Sequence, residues 1–253
     1  MASYETELKE AIASLYKVFE PYALRPHVHG CTHCVSDSDN ACLHERPLRE
    51  LTADQLEKFA YKALSTWGDI NDFRHFLPRL MECLANQEHT IGAIDAEIVL
   101  GKLTYGEWLS WPESEKLAIR RYFSAVLKGS IFAFHEDADA PWVWICAIGR
   151  AEDDLSAYFR EWESIGTFGT NPLAYLFIRE GNNLLAKNKL PNAFWSDRRE
   201  QMMQVIAWLA SPAVHRLLEE AFFRAAGTSQ AEEISLACTI QEALADRRSV
   251  NQN

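Results

Sequence analysis

The sequence predicts an all-α protein, an irregular helical bundle or a short HEAT-like array of about ten helices joined by short turns. Three observations lead there. Apolar residues recur at three- and four-residue spacing along most of the chain. Capping residues, prolines and glycines fall between those runs, and no segment alternates apolar and polar residues long enough to make a strand. No signature recurs at a period of roughly 34 to 47 residues, so bundle and array both stand. With 48% hydrophobic residues, eight Trp and thirteen Phe, the core needs neither disulfide nor metal, and any metal is expected to act locally. One all-α domain is expected over residues 1–253, with an N-terminal lobe over 1–90 and a C-terminal lobe over 91–253.

Leu8, Ile12, Leu15, Val18 and Phe19 share a face behind Ser3 as N-cap, and Pro21 stops the run, which predicts a helix over about 4 to 20. Residues 21 to 35 carry Pro21, Pro26 and Gly30 without a period and read as loop. Ser36 with Asp39 caps a short helix over about 37 to 45, before Pro47. Thr52 and Gln55 form a capping box for a helix bearing Leu56, Phe59, Ala60, Ala63 and Leu64, expected to end near Trp67-Gly68. Asp69 opens a helix through Asp72, His75 and Phe76. Pro78 is expected to kink or break it, because its ring crowds the Arg74 carbonyl. A helix over about 91 to 101 is expected to end at Gly101, with Leu103 to Trp111 as loop.

Pro112 suits a first helical turn, and Leu117, Ala118, Tyr122, Ala125 and Val126 carry that helix to about Gly129. His135-Glu136-Asp137 and Asp139 form an acidic connection that could take a cation or face a basic partner. Trp142 to Ile148 is apolar on every side and fits a buried helix better than a strand. Asp153 begins a helix with Leu155, Tyr158, Phe159 and Trp162, closed by the turn from Gly166 to Pro172. Four more helices are expected at about 172–186, 194–210, 212–226 and 230–247, with Ser211-Pro212 and Ser229 to Glu232 marking the last two starts.

The net charge of −11 has no basic cluster longer than Arg198-Arg199 or Arg247-Arg248. Such a field repels phosphate backbones and anionic lipid, so neither nucleic acid nor membrane is expected as partner; a basic protein is. The first ten residues hold three acids and no apolar run, and Ala140 to Gly149 is too short to span a bilayer. A cytoplasmic protein is expected, where thiols stay reduced and clustered cysteines favour metal over disulfide.

Between Pro26 and Pro47 stand His27, His29, Cys31, His33, Cys34, Cys42 and His44. Thiolate plus imidazole makes zinc the expected cofactor, and the Cys31-X-X-Cys34 turn supplies two ligands with little strain. Cys42 and His44 lie close enough in sequence to complete a Cys₃His set. If 37 to 45 is helical, however, those two point about 200° apart, and His29 or His27 takes the place of one. His33, inside the turn, is the weakest candidate. A closed set leaves no position for water, so the expected role is structural, a staple between the first helix and the helix over 53 to 66. Without a metal, Cys42 would be a buried small hydrophobe in a polar loop. A thioredoxin-like dithiol would need a βαβ setting that is absent.

Asp69, Asp72 and His75 suggest half of a carboxylate-bridged dinuclear metal site, but no second Glu-X-X-His exists; an acidic first turn facing the helix dipole explains them more simply. Asp37 to Asn40 begins like a calcium loop, yet Cys42 stands at the glycine place and Leu48 at the bidentate Glu. Cys83, Cys146 and Cys238 read as core. Trp67, Trp108, Trp111 and Trp195 read as packing residues, with an exposed aromatic patch as the alternative.

Cys31-Thr-His-Cys34 followed by Pro47-Leu-Arg-Glu-Leu51, Thr66-Trp-Gly-Asp69 and Asp72-Phe-Arg-His-Phe-Leu-Pro-Arg79 resembles a set of uncharacterised bacterial proteins over residues 15 to 85. The resemblance implies bacterial origin and carries no activity.

The expected function is a non-enzymatic acidic protein-binding module, an adaptor or toxin-neutralising immunity-type protein, with a structural zinc site. The alternative is a metal-dependent hydrolase or transferase using the 27–44 cluster with Asp69, Asp72 and His75. A third reading has Cys31 and Cys34 oxidise and eject the metal.

Overall fold

The computed structural model describes residues 4–86, 94–135 and 140–250. The protein is all-α, with twelve α-helices and no strand among the described residues. It divides into two compact units, Met1–Val126 and Leu127–Asn253. Among the described residues no helix is long and apolar enough to cross a membrane.

The first unit holds α1 (Tyr4–Phe19), α2 (Asp37–Cys42), α3 (Ala53–Lys62), α4 (Ile70–Ala85), α5 (Ala96–Tyr105) and most of α6 (Glu113–Phe132). The centre is α4, against which α1, α3 and α5 pack. Its Phe73, Phe76, Leu77 and Leu80 are fully buried, and Phe76 meets Phe59 of α3 at 4.6 Å between ring centroids. Each such side chain contributes about 1.5–3 kcal/mol by leaving water, so this face outweighs local defects in the helix.

That balance explains Pro78. The expected break does not occur: α4 runs without interruption from Ile70 to Ala85. Proline removes one backbone hydrogen bond, but residues on both sides of it are anchored in the same core. α3 also departs from expectation, ending at Lys62 rather than near Gly68. Leu64 adopts a left-handed φ of 64°, and the Lys62 carbonyl accepts the N–H groups of Ser65, Thr66 and Trp67 at 3.1, 3.0 and 3.1 Å. This tight turn satisfies the helix end before glycine is reached. α5 passes through Gly101 and stops at Gly106, because Leu100 and Leu103 are buried together on one face. The expected start of that helix lies outside the described residues. α6 likewise runs past Gly129 to Phe132.

Both short-range start signals of this unit take the expected form. Ser36 and Asp39 make a complete capping box for α2, as do Thr52 and Gln55 for α3.

The second unit contains α7 (Ala140–Ala151), α8 (Ser156–Ser164), α9 (Thr170–Asn182), α10 (Arg199–Leu209), α11 (Pro212–Arg224) and α12 (Ser229–Val250). The apolar stretch around Trp144 is helix α7, as expected. α9, α11 and α12 pack together. Beneath α8 the Trp162 ring meets Trp142 and Trp208 at 5.1 and 5.3 Å. Its Nε1 donates to the Gly169 carbonyl at 2.9 Å, so the buried indole leaves no donor unmet. Arg198 closes the end of α7 by donating to the carbonyls of Gly149 and Glu152 at 2.9 and 2.6 Å. α9 passes directly into a π-helical turn, Asn183–Lys187.

Candidate functional site

The segment from Tyr22 to Val35 is irregular, yet hydrogen bonds hold it at Tyr22, Arg25, Val28, His29 and Cys31. Asn40, buried in α2, accepts the Val28 N–H at 3.1 Å and donates to the Val28 carbonyl at 2.6 Å. Both backbone groups of an extended residue are thus satisfied by one amide. Two residues on, Gly68 donates to His29 O at 2.7 Å and Cys31 donates to Thr66 O at 2.8 Å. Gly30 sits between these bonds, where a β-carbon would stand 2.9 Å from Val35 and 3.1 Å from Trp67; only glycine lets the chain approach the indole so closely.

An extended run alternates its side chains. Val28 is fully buried, while His27, His29 and Cys31 are exposed on the other side. The His27 and His29 rings lie 5.5 Å apart. The turn that follows bonds Cys34 N–H and Val35 N–H to Cys31 O at 2.8 and 2.9 Å. Hydrogen bonds from the His33 backbone, the His33 ring and the Cys34 thiol pull the Cys31 thiol down to about 7. His33, the weakest candidate by sequence, is therefore the residue in closest support of Cys31. A turn whose N–H groups converge on its own first sulfur is the signal that spacing alone does not display.

The other expected ligands stand elsewhere. His44 has Nδ1 2.7 Å from Asn40 O and Nε2 2.8 Å from Arg25 O, so both ring nitrogens are engaged with backbone. Burial, aided by Glu45, pushes the Cys42 thiol above its ordinary range, which disfavours the thiolate a metal needs. Among the described residues no three His, Cys, Asp or Glu side chains are arranged to hold a metal. Cys31 and Cys34 thus share one turn, and among the described residues the arrangement stops short of a closed Cys₃His site.

Asp69, Asp72 and His75 are occupied structurally. Asp69 is the N-cap of α4 and bonds the Asn71 and Asp72 N–H groups at 2.8 and 3.2 Å, while Asp72 returns to the Asp69 N–H at 2.9 Å. Arg25 reaches Asp69 at 2.6 Å and Asp72 at 3.5 Å. Burial holds the Asp72 carboxyl above its ordinary range; at Asp69 burial acts the same way, but backbone N–H groups and Arg25 outweigh it and the net shift is downward. His75 donates to Tyr22 O at 2.7 Å, and burial keeps its imidazole below the ordinary value.

Cys83 and Cys146 are core, whereas Cys238 is only partly buried. Trp67, Trp108, Trp111 and Trp195 are all buried, so no exposed tryptophan patch forms from them. Of the acidic connection after Phe134, residues 136–139 lie outside the described residues.

The surface feature that sequence reading missed is in the second unit. Two adjoining hollows of about 350 and 830 Å³ run between the end of α6, the turn at Thr167-Phe168, α9 and α12. Phe168, Ile178 and Leu236 line them and stay 66%, 40% and 50% exposed. Large apolar side chains grouped around one groove mark an interaction surface more often than isolated ones do. Comparison with known proteins adds nothing further, since no family model, curated protein or solved structure matches the chain.

Proposed function

We propose that this chain is a non-enzymatic protein-binding module that receives an apolar segment of a basic partner protein in the groove between α9 and α12, and carries a zinc ion on its 27–44 loop. The observation that carries the first part is the exposure of Phe168, Ile178 and Leu236 around one groove. Two further facts support it. The net charge of −11 favours encounter with a positively charged protein. The one carboxylate and histidine group that the sequence offered for catalysis is engaged in capping and in hydrogen bonds.

For zinc, Cys31 and Cys34 would supply thiolates and His29 an imidazole, the ion serving to fix the exposed turn rather than the fold. A bound zinc would favour the deprotonated thiols; the surrounding N–H groups of His33 and Cys34 would share that charge.

The groove reading is tested by capture from extract of the source cell with three forms of the chain. Wild type and Leu117→Glu, an exposed site on the other unit, should retain one stoichiometric protein whose binding weakens as salt rises. The Ile178→Glu, Leu236→Glu double variant should lose it while keeping its helical circular dichroism. Equal retention by all three forms, or no stoichiometric partner for any, would overturn the proposal.

A further inference from the structure

A concavity of about 260 Å³ opens between α7, α9 and residues 190 to 195; it shares Tyr175 and Arg179 with the groove between α9 and α12 and is otherwise separate from it. We infer that it binds a neutral, flat aromatic molecule of one or two rings carrying a hydrogen-bond acceptor, seated among its apolar walls with the acceptor on Trp195 Nε1.

An unmet donor is the first reason. Trp111, Trp142, Trp162 and Trp208 donate their indole N–H groups to Gly106 O, Pro172 O, Gly169 O and Glu163 Oε1 at 2.9, 3.2, 2.9 and 2.9 Å. Trp195 is only 3% exposed, yet its N–H meets no acceptor among the described residues. Buried indoles ordinarily find one, and a donor left without it costs stability that a ligand can return. Trp67 shares the deficit, but its Nε1 is sealed in the core, whereas Trp195 Nε1 is not sealed and Trp195 lines the cavity. The part of the Trp195 ring pressed against α7 is the benzo edge: a β-carbon on Gly149 would stand 2.7 and 2.8 Å from Cζ3 and Cη2. The pyrrole edge, which carries Nε1, is the opposite one and is left for the cavity.

The walls select against charge. Arg179 and Glu180 both stand in them and are ion-paired at 3.6 Å. Asn183 Nδ2 also donates to Glu180 at 2.7 Å, and Arg179 to the Tyr175 hydroxyl at 2.6 Å. The two charges answer each other, so an ion of either sign would lose its hydration and meet a like charge beside its counter-charge. A neutral ligand avoids both costs.

The rest of the lining is mainly apolar, with Val143, Ile145, Leu176 and Leu190 beside the Trp142 ring. Trp142 spends its N–H on Pro172 O and has its face to offer for stacking. Mostly apolar walls with a few placed polar groups are the usual make-up of a small-molecule site. About 150 Å³ suffices for benzene in an apolar cavity, so the volume here admits a substituted ring or a fused pair.

The test uses the full chain and acetophenone as probe. Its isostere is α-methylstyrene, in which a methylene replaces the carbonyl oxygen, and benzoate and benzylammonium are the charged single-ring controls. In the wild-type chain the Trp195 indole N–H resonance, assigned by triple-resonance spectra, should shift saturably on acetophenone addition while that of Trp111 stays. α-Methylstyrene should bind about fivefold more weakly, the margin of one net hydrogen bond, and both charged rings should bind less tightly than acetophenone. Trp195→Phe, which keeps a ring but has no N–H, should bind the two neutral probes alike; should that variant lose its helical circular dichroism, the wild-type titrations decide alone. The inference is overturned if acetophenone does not bind, if it and α-methylstyrene bind the wild-type chain alike, if the Trp195 resonance stays fixed, if either charged ring binds more tightly, or if folded Trp195→Phe keeps the preference for acetophenone.

Discussion

Asn40 shows what a single side chain does for the loop that carries the candidate ligands. Its amide answers both the N–H and the carbonyl of Val28, and all three groups are buried. In Asn40→Ala two backbone groups lose their partners without gaining water, and unsatisfied buried groups cost about 1–3 kcal/mol each. Denaturant unfolding should show a loss on the order of 2–3 kcal/mol; a loss within the roughly 0.5 kcal/mol typical of surface substitutions would contradict the assignment. The sequence displayed the type and spacing of Cys31 and Cys34, and those two residues do share one turn. It could not display the fate of His44. Its two carbonyl partners belong to Asn40 and Arg25, and the second is brought close only by the fold of a loop with no period of its own.

The starts of α2 and α3 were legible because a cap is chemistry within four residues, and the Ser36–Asp39 and Thr52–Gln55 boxes needed nothing from elsewhere, whereas the helices expected from Asp153 and from about 194 begin only at Ser156 and Arg199. Helix ends and interruptions were not, because burial decides them. α4 survives Pro78 through its core face, and α3 stops early at a left-handed Leu64 that no propensity would suggest. One cap nevertheless depends on a distant residue. Lys58 of α3 first, then the Ser36 N–H and hydroxyl, hold the Asp39 carboxyl at about 2. A carboxyl depressed in the folded state stabilises α2 above its unfolded value of about 3.9 and loses that contribution as pH falls toward its folded value. Carboxyl-resolved NMR should therefore place the Asp39 midpoint near 2, with the α2 amide signals changing in step. Lys58→Ala should move the midpoint up toward about 3.9. An unchanged midpoint in that variant would remove the interaction between α2 and α3 from the account.

For the molecule as a whole, the question is whether the fold needs the metal that its loop invites. Small domains that depend on zinc have too little apolar surface to bury and unfold when it leaves. This chain is different in kind: in the first unit Trp67, Trp108, Phe59, Phe73, Phe76 and Phe123 are fully buried, and the loop is tied down by Asn40, by His44 and by the backbone pairing around Gly30. The Cys31 sulfur and the His27 and His29 imidazoles are exposed, while Val28 of the same run is buried. Hydrophobic abundance makes this independence the expectation from sequence, whereas the groove did not announce itself, since its residues come from four separated segments. Zinc should accordingly bind without building the fold. Protein purified without affinity-column nickel should take up close to one zinc per chain, and the uptake should be lost in Cys31→Ser. A strong chelator should remove the ion while the far-UV circular dichroism stays unchanged. It should also expose Cys31 to iodoacetamide ahead of the buried Cys83 and Cys146. Collapse of the helical signal on chelation would mean that the metal holds the core after all, and absence of stoichiometric zinc would leave the exposed cysteine turn without its proposed occupant.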